Sequence, residues 1–511
     1  MAGQGLDIDY RYSLLPYRLA SFLGGQSDYE DKGIAGSFKN GTALDIRKHT
    51  DSLTCQQALK DYIATGTMTN LALFTVIADD NNIYHFCRDG KIYRTTSGGS
   101  TALMYTDTHE SGNIIGAAQW YDNAGNTFLF WATPTRLNVK RIIGSGYTNT
   151  EPWNDVNTVP TGSWPKTNLT STAWHTMKIC NGTLQIVNNT FLAFVGYDFS
   201  YTNQALQFIP GTIAQTLLER GIYTIAGTNR STGLDESLLY AWDGISLDYN
   251  NKEVFKVRGI NAMIDTEFAL MQVGTEGLIY VSDLNSPMPI LAMFGGGKCY
   301  PDAVSSYQGM ALFGVFGNSS IEGAQNGVWT YGRLKKNASP VLNCDYPLDC
   351  DEIGSVLSYN GDILISYRKG TNYGVKHIDT NNKAPAIYQS LDLVTPMGTR
   401  RYPLPLDRML FWDHVRLISA PLPSGCKVEL WYRVDKVKSD INNAAADYST
   451  GWIQANTQES ATTVQETTAN RMDYVFSLME KARVMEIMIK LFPSGNDTPE
   501  IFEANTYFKV G

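Results

Sequence analysis

Between about residue 33 and residue 380 the chain is a succession of short apolar runs broken by glycine, asparagine and aspartate, with no helical stripe sustained over more than a turn or two. Apolar and aromatic clusters centred on Val76, Phe130, Val187, Ile225, Leu270, Phe313 and Leu364 recur at intervals of 38 to 57 residues, about 48 on average. An all-β repeat of roughly 40–50 residues is the pattern of propeller blades. A four-stranded blade cannot bury both of its faces alone, and radial packing against two neighbours does so. Seven clusters predict about seven blades, with six or eight left open and an array of sandwiches as the alternative.

A second repeat points the same way. Gly90-Lys91-Ile92-Tyr93, Gly277-Leu278-Ile279-Tyr280 and Gly327-Val328-Trp329 each place a glycine before a strand that ends in an aromatic residue, and Leu238-Leu239-Tyr240 is a looser copy. Glycine permits the tight turn, while β-branched and aromatic residues favour the strand. Arg88-Asp89-Gly90 and Asn360-Gly361-Asp362 read as hairpin turns.

The pattern changes after Thr380–Pro385, which reads as a linker. Val428, Leu430, Tyr432 and Val434 alternate with Lys427, Glu429, Trp431 and Arg433. Met485, Ile487, Ile489 and Leu491 alternate with Glu486, Met488 and Lys490, and Phe502–Val510 alternates likewise. Period two with one apolar face predicts half-buried antiparallel strands. With Phe411–Ile418 and Gly451–Ala455 they make a β-sandwich. Asn442–Asp447 and Thr457–Asn470 read as loops, and Asp473–Lys481 as a weak helix. Residues 1–30, with Tyr10, Tyr12, Tyr17 and Tyr29, read as an extended arm. The expected organisation is an arm at 1–30, an all-β propeller at 31–385 and a C-terminal antiparallel β-sandwich at 386–511.

Composition narrows the function. The 511 residues carry 41 Lys+Arg against 50 Asp+Glu, a net charge of −9, which disfavours nucleic acid as a partner. No apolar run approaches the roughly 20 residues of a membrane span, so no membrane insertion is expected. The first residues lack the charged-then-apolar order of a secretory signal. Seven cysteines, an odd number without a CxxC pair, suit a reducing cytoplasm.

Catalytic patterns are scarce. Phe294–Cys299 has the look of a phosphate loop but carries Ala292 where the first glycine belongs and Cys299 where a hydroxyl should hold magnesium. His85 and His175 read as packing or surface histidines. Asp79–Asn82 and Asp349–Glu352 are oxygen-rich but lack the twelve-residue calcium loop. Cys344 and Cys350 have no second pair to complete a metal site. Asp122–Phe128 approaches the aspartate-box turn of sialidases with one residue too many, once only. Asn40-Gly41-Thr42 and Asn181-Gly182-Thr183 are glycosylation-type triplets that read as turns. No catalytic, cofactor-binding or metal-ligating residue is assigned, no cofactor is expected, and the protein is expected not to be an enzyme.

Several segments resemble a group of tailed-bacteriophage virion proteins. They are Asp45–Leu53, Gly90–Ser97, Trp174–Leu184 (similar to a Trp-His-Pro-Met strand, with Thr176 in the proline's place), Ala205–Pro210 and Gly221–Thr228. The likeness spans residues 30–390 and, more faintly, the sandwich. It implies a non-enzymatic structural component of the tail or head–tail (neck) region: a propeller with an appended sandwich, assembled in a homo-oligomeric ring against other virion proteins. Such a protein would fold in the host cytoplasm and reside in the virion. The alternatives are an adhesion module binding a host-surface glycan or receptor, a glycan-degrading propeller, and a cellular propeller scaffold.

Overall fold

The computed structural model describes residues 15–22, 24–26, 36–47, 51–144, 164–230, 236–256, 259–267, 269–273, 278–282, 288–292, 297–317, 325–334, 339–393, 409–435, 451–457, 464–465 and 471–510. Apart from one 3-10 turn at His109–Gly112, every regular element among them is a β-strand.

Blade 1 consists of Ala72–Ile77, Ile83–Cys87, Lys91–Thr95 and Thr101–Thr106. Blades 2 to 6 begin with Gly116–Tyr121, Met177–Cys180, Thr212–Arg220, Ile260–Asp265 and Val304–Tyr307, and blade 7 with Glu352–Tyr359. The first strand of each blade touches the first strand of the next, and that of blade 7 touches Ala72–Ile77. The seven form a closed ring, so the chain is a seven-bladed β-propeller. Each apolar cluster of the sequence falls in a different blade: Val76 in the first strand of blade 1, the other six in second strands. The glycine–strand–aromatic repeats are the third strands of blades 1, 4, 5 and 6.

Second strands such as Thr127–Ala132 and Met310–Val315 are apolar runs buried at every residue because both of their faces are covered. In Thr127–Ala132, Phe128 and Phe130 join the core shared with blade 3, while Leu129 and Trp131 join the core shared with blade 1. The turns obey local chemistry: Asn360 and Gly361 both have positive φ (50° and 77°), the two-residue hairpin turn that Asn-Gly favours.

Blade 7 is completed from the other end of the propeller. Its strands Glu352–Tyr359, Asp362–Lys369 and Asn372–Lys383 are joined by Gln57–Ile63, which precedes blade 1; Ile378 lies opposite Leu59 and His377 opposite Lys60.

The second body is a β-sandwich. One sheet holds Leu15–Leu19, Ile501–Val510, Leu410–Ser419, Asp473–Ala482 and Asn456–Thr457 in that order. The other runs Asn40–Thr42, Ala386–Gln389, Met485–Phe492, Lys427–Val434, Ile453–Gln454. Trp412, Val415, Leu417, Phe476 and Phe508 of the first sheet pack on Tyr388, Leu430, Ile487 and Ile489 of the second, with Phe22, Phe38, Leu44 and Leu53 filling the remainder.

The structure revises four expectations. Within the expected loop Thr457–Asn470, Val464–Gln465 is a short strand, drawn into the sheet by pairing with Lys427 and Val428. Asp473–Lys481 is a strand: Tyr474, Phe476 and Leu478 alternate into the core, and pairing with Leu410–Ser419 overrides a helical preference. Thr380–Lys383 is the end of a blade 7 strand, with the ladder bulged between Asp379 and Lys383, so only Ala384 and Pro385 separate it from the sandwich strand Ala386–Gln389. Described residues ahead of Gln57, expected as arm up to 30 and propeller from 31, instead build the sandwich and its seam. Leu15–Leu19 is an edge strand against Ile501–Val510, and Asn40–Thr42 bridges Ala386–Gln389 to the outer strand of blade 6, Thr42 lying opposite Cys344. The predicted loop at Asn442–Asp447 lies outside the described residues.

Buried charge ties this N-terminal segment to the propeller. Asp345 of blade 6 is fully buried; Arg47 pairs with it, Asn343 Nδ2 donates to it at 2.6 Å and Thr330 Oγ1 at 2.9 Å. Burial pushes the Asp345 carboxyl up, and the Arg47 charge and these hydrogen bonds oppose that rise. A buried pair that loses one partner leaves an uncompensated charge. Arg47→Ala is expected to destabilise the protein by about 3 kcal/mol, read as a lower urea midpoint with an unchanged denaturant slope; an unchanged midpoint would show that Asp345 does not depend on Arg47.

Candidate functional site at the propeller axis

The connections entering blades 3 and 6 carry Trp174 and Tyr300. The strands they lead into stand on opposite sides of the seven-membered ring, yet the two aromatic rings are 5.0 Å apart, so they meet at the axis. Phe74 of blade 1 lies edge-on to Trp174 at 6.2 Å, and Phe316 of blade 6 edge-on to Tyr300 at 4.8 Å. Aromatic pairs favour such tilted contacts.

Charged groups ring this stopper. Arg88, in the turn between the second and third strands of blade 1, donates from Nη2 to Tyr300 Oη at 3.0 Å and lies 5.7 Å from the ring centroid. Its Nη1 is 3.0 Å from Glu352, which opens blade 7, and Arg368 Nη2 is 3.4 Å from the same carboxylate. Arg368 also reaches Asp351 at 3.6 Å. Two guanidiniums and two carboxylates therefore neutralise one another around the aromatic pair.

Asp302, two residues after Tyr300, accepts a hydrogen bond from the Thr75 amide at 3.1 Å. Burial raises its carboxyl to about 6, against the attraction of Lys178 in the first strand of blade 3. Beside it a chain of side chains crosses from blade 7 to the outer edge of blade 1. Ser366 and Ser355 are 3.2 Å apart, Ser355 and Thr75 2.6 Å, Thr75 and His85 Nδ1 3.4 Å, His85 Nε2 and Thr95 3.2 Å, and Thr95 and Thr101 2.9 Å. His85 is fully buried, and desolvation lowers its pKa to about 3, so it is a neutral member of this chain.

His175 is also buried. Nδ1 lies 2.6 Å from the Val187 carbonyl and Nε2 2.9 Å from that of Pro134, tying blade 3 to the turn of blade 2; desolvation lowers its pKa while both carbonyls oppose that. His85 and His175 are thus brought into packing networks. Asp122 accepts amide hydrogen bonds from Ala124 and Asn126 and closes a hairpin loop. Asp80 accepts the Asn82 amide and the Tyr84 hydroxyl. Lys298 pairs with Phe316 through both backbone groups, leaving no open cradle in the described part of Phe294–Cys299, whose residues 294–296 lie outside the described set. Cys344 and Cys350 are buried free thiols, and burial raises the Cys350 thiol to about 12. A reactive thiol needs the opposite shift. Asn40 is fully buried in a strand, and Asn181 makes a hairpin turn at φ 48°. Among the described residues no group of three His, Cys, Asp or Glu side chains stands close enough to hold a metal ion.

What the arrangement accomplishes is bracing: aromatic contacts and matched charges join blades 1, 6 and 7 and the connection into blade 3 at one end of the ring. Sequence reading singled out none of Arg88, Trp174, Tyr300 or Arg368 as a site. The signal was present, since Trp174 and Tyr300 occupy corresponding places just ahead of two first strands, but it needs the blades aligned and their order around the ring known.

No family model and no curated protein matches the chain. Among solved structures it is similar to the WD40 β-propeller domain of Doa1 (12% identity, 63% of this chain and 97% of that one, TM-score 0.40). It is also similar to a chain of the mitotic checkpoint complex (9% identity, 62% and 93%, TM-score 0.43) and to YCF48 bound to a D1 peptide (12% identity, 67% and 99%, TM-score 0.42). At these values the likeness carries no function.

His85 and Asp302 give opposite pH dependences. His85, depressed from 6.5 to about 3, contributes stability that is complete above about pH 6.5 and is lost as pH falls toward 3. Asp302, raised from 3.8 to about 6, contributes stability that is complete below about pH 3.8 and is lost as pH rises through 6. Stability measured against pH is expected to show Asp302→Asn gaining on the parent between pH 4 and 7, and His85→Gln losing less than the parent between pH 6.5 and 4. Parallel curves for parent and variants would contradict both assignments.

Proposed function

We propose that this protein is a non-enzymatic structural component of a tailed-phage virion, from the tail or the head–tail region, acting as a rigid assembly block. The observation that carries this is where the segments resembling virion proteins fall. Asp45–Leu53 carries the Arg47 contact to blade 6 and, through Leu53, backbone bonds of 2.8 and 3.1 Å to Ile501 of the sandwich. Gly90–Ser97 includes the third strand of blade 1, and Trp174–Leu184 supplies an axial aromatic and the first strand of blade 3. In this reading the shared residues maintain a braced two-body unit, whose loops and sheet edges meet neighbouring virion proteins.

The test is electron microscopy of particles from cells carrying the gene, with the chain identified by a fused tag. Density for several copies around the tail or neck axis is the expected result. Particles that lack the chain would end this reading, and binding of the purified chain to one class of host glycan would then favour an adhesion role.

A further inference from the structure

We propose that the seam between propeller and sandwich contains a buried hydrogen-bonding site that binds ordered water, lined by Asn40, Thr42 and Gln389. It goes beyond the assembly role and does not depend on it.

The site lies in the ladder that carries blade 6 into the sandwich. Asn40 lies opposite Gln389 and Thr42 opposite Ile387 in an antiparallel pair, and Thr42 pairs in parallel with Cys344 of blade 6. Directly opposed residues put their side chains on one face of a sheet, and residues two apart share that face. Tyr388 packs in the sandwich core, and a Cβ on Gly41 would meet the Phe38 ring of that core. Asn40, Thr42 and Gln389 therefore point to the other face. That face is buried as well: Asn40 and Gln389 are 0% exposed, Thr42 6%, and Met488, opposite Gln389, 0%.

Three polar side chains thus sit where apolar ones would cost less. Asn40 Nδ2 and Oδ1, Gln389 Nε2 and Oε1 and Thr42 Oγ1 are sealed from solvent and have no hydrogen-bond partner among the described residues. Buried polar atoms in native proteins are nearly always paired, so this concentration of orphans on one face calls for an occupant. The charged groups nearby are engaged with one another or with aromatic rings. Glu486, two residues from Met488 on the same face, is held by Arg433 and by Lys39 at 2.6 Å. Lys490, opposite Ile387, has its ammonium 4.1 Å from the centroid of Trp431.

The chemistry of these atoms selects the occupant. The amide nitrogens only donate, the amide oxygens only accept, and the hydroxyl does either. A cation would suit the oxygens and repel the amide hydrogens; an anion would do the reverse. A neutral molecule that both donates and accepts suits all of them, and a site closed to solvent holds only a small one. Water meets these demands, and at about three hydrogen bonds each, about two molecules satisfy the set. They tie Asn40–Thr42 to Ala386–Gln389 through side chains as well as backbone, which matters for a joint made by a strand of only 3 residues.

The test is a crystal structure of the full chain at a resolution that shows ordered water, joined to urea unfolding of two variants of near-equal shape, Thr42→Val and Gln389→Met. Water density bonded to both amides and to the Thr42 hydroxyl is the expected result. Asn40 and Gln389 bonded to each other with no density beside them would overturn the proposal, and so would an ion with short contacts to the oxygens. Each variant is expected to lower the urea midpoint with an unchanged slope, because it takes a partner from water that stays buried. A midpoint that holds or rises marks a side chain with no partner to lose, and equally overturns the site. If a variant fails to fold, the crystal structure of the parent decides alone.

Discussion

A propeller is a ring made from a linear chain, and its stability depends on how the two ends of that ring are joined. Here the joint is the ladder between Gln57–Ile63 and Asn372–Lys383. Without it blade 7 loses its outer strand, and the first and last blades are left with side-chain packing, the Arg88–Glu352 pair and hydrogen bonds such as that between Ser355 and Thr75. Backbone pairing between residues more than 300 positions apart is costly in chain entropy before it forms, yet once made it turns seven weak sheets into a single closed unit.

The same N-terminal segment then does a second job. Before reaching the closing strand it contributes Leu15–Leu19 to one sandwich sheet and Asn40–Thr42 to the other, and it places Phe22, Phe38, Leu44 and Leu53 in the sandwich core. The sandwich therefore depends on residues that precede the propeller, and the propeller closes with the strand that follows them. Buried charges mark the seams. Arg47 meets Asp345 between the segment and blade 6. Within the sandwich, burial of Glu486 works against its charge, but Arg433 and Lys39 (2.6 Å) hold its carboxyl well below the usual range. Such pairs add little net stability over apolar residues of equal size, but a misregistered arrangement would strand a charge in the interior. The aromatic stopper at the axis works on a smaller scale in the same way: Trp174 and Tyr300 brace opposite sides of the ring, and Arg88, Arg368, Glu352 and Asp351 keep their charges balanced in place.

By itself the sequence determined the class of fold. The spacing of the apolar clusters reported one blade each, because strands such as Thr127–Ala132 and Met310–Val315 are covered on both faces and are apolar along most of their length. The alternation in Lys427–Val434 and Met485–Phe492 reported half-buried sandwich strands for the complementary reason. Hairpins such as Asn360-Gly361 were legible because positive φ restricts the residues that can occupy them. The tertiary structure decided what local pattern does not encode. Asp473–Ala482 became a strand because a neighbouring strand offered its backbone partners. Leu15–Leu19, Asn40–Thr42 and Leu53 joined the sandwich because their pairing partners lie at the far end of the chain. The axial cluster was hidden for the same reason: Arg88, Trp174, Tyr300, Glu352 and Arg368 are spread over some 280 positions, and only closure of the ring brings them to one point.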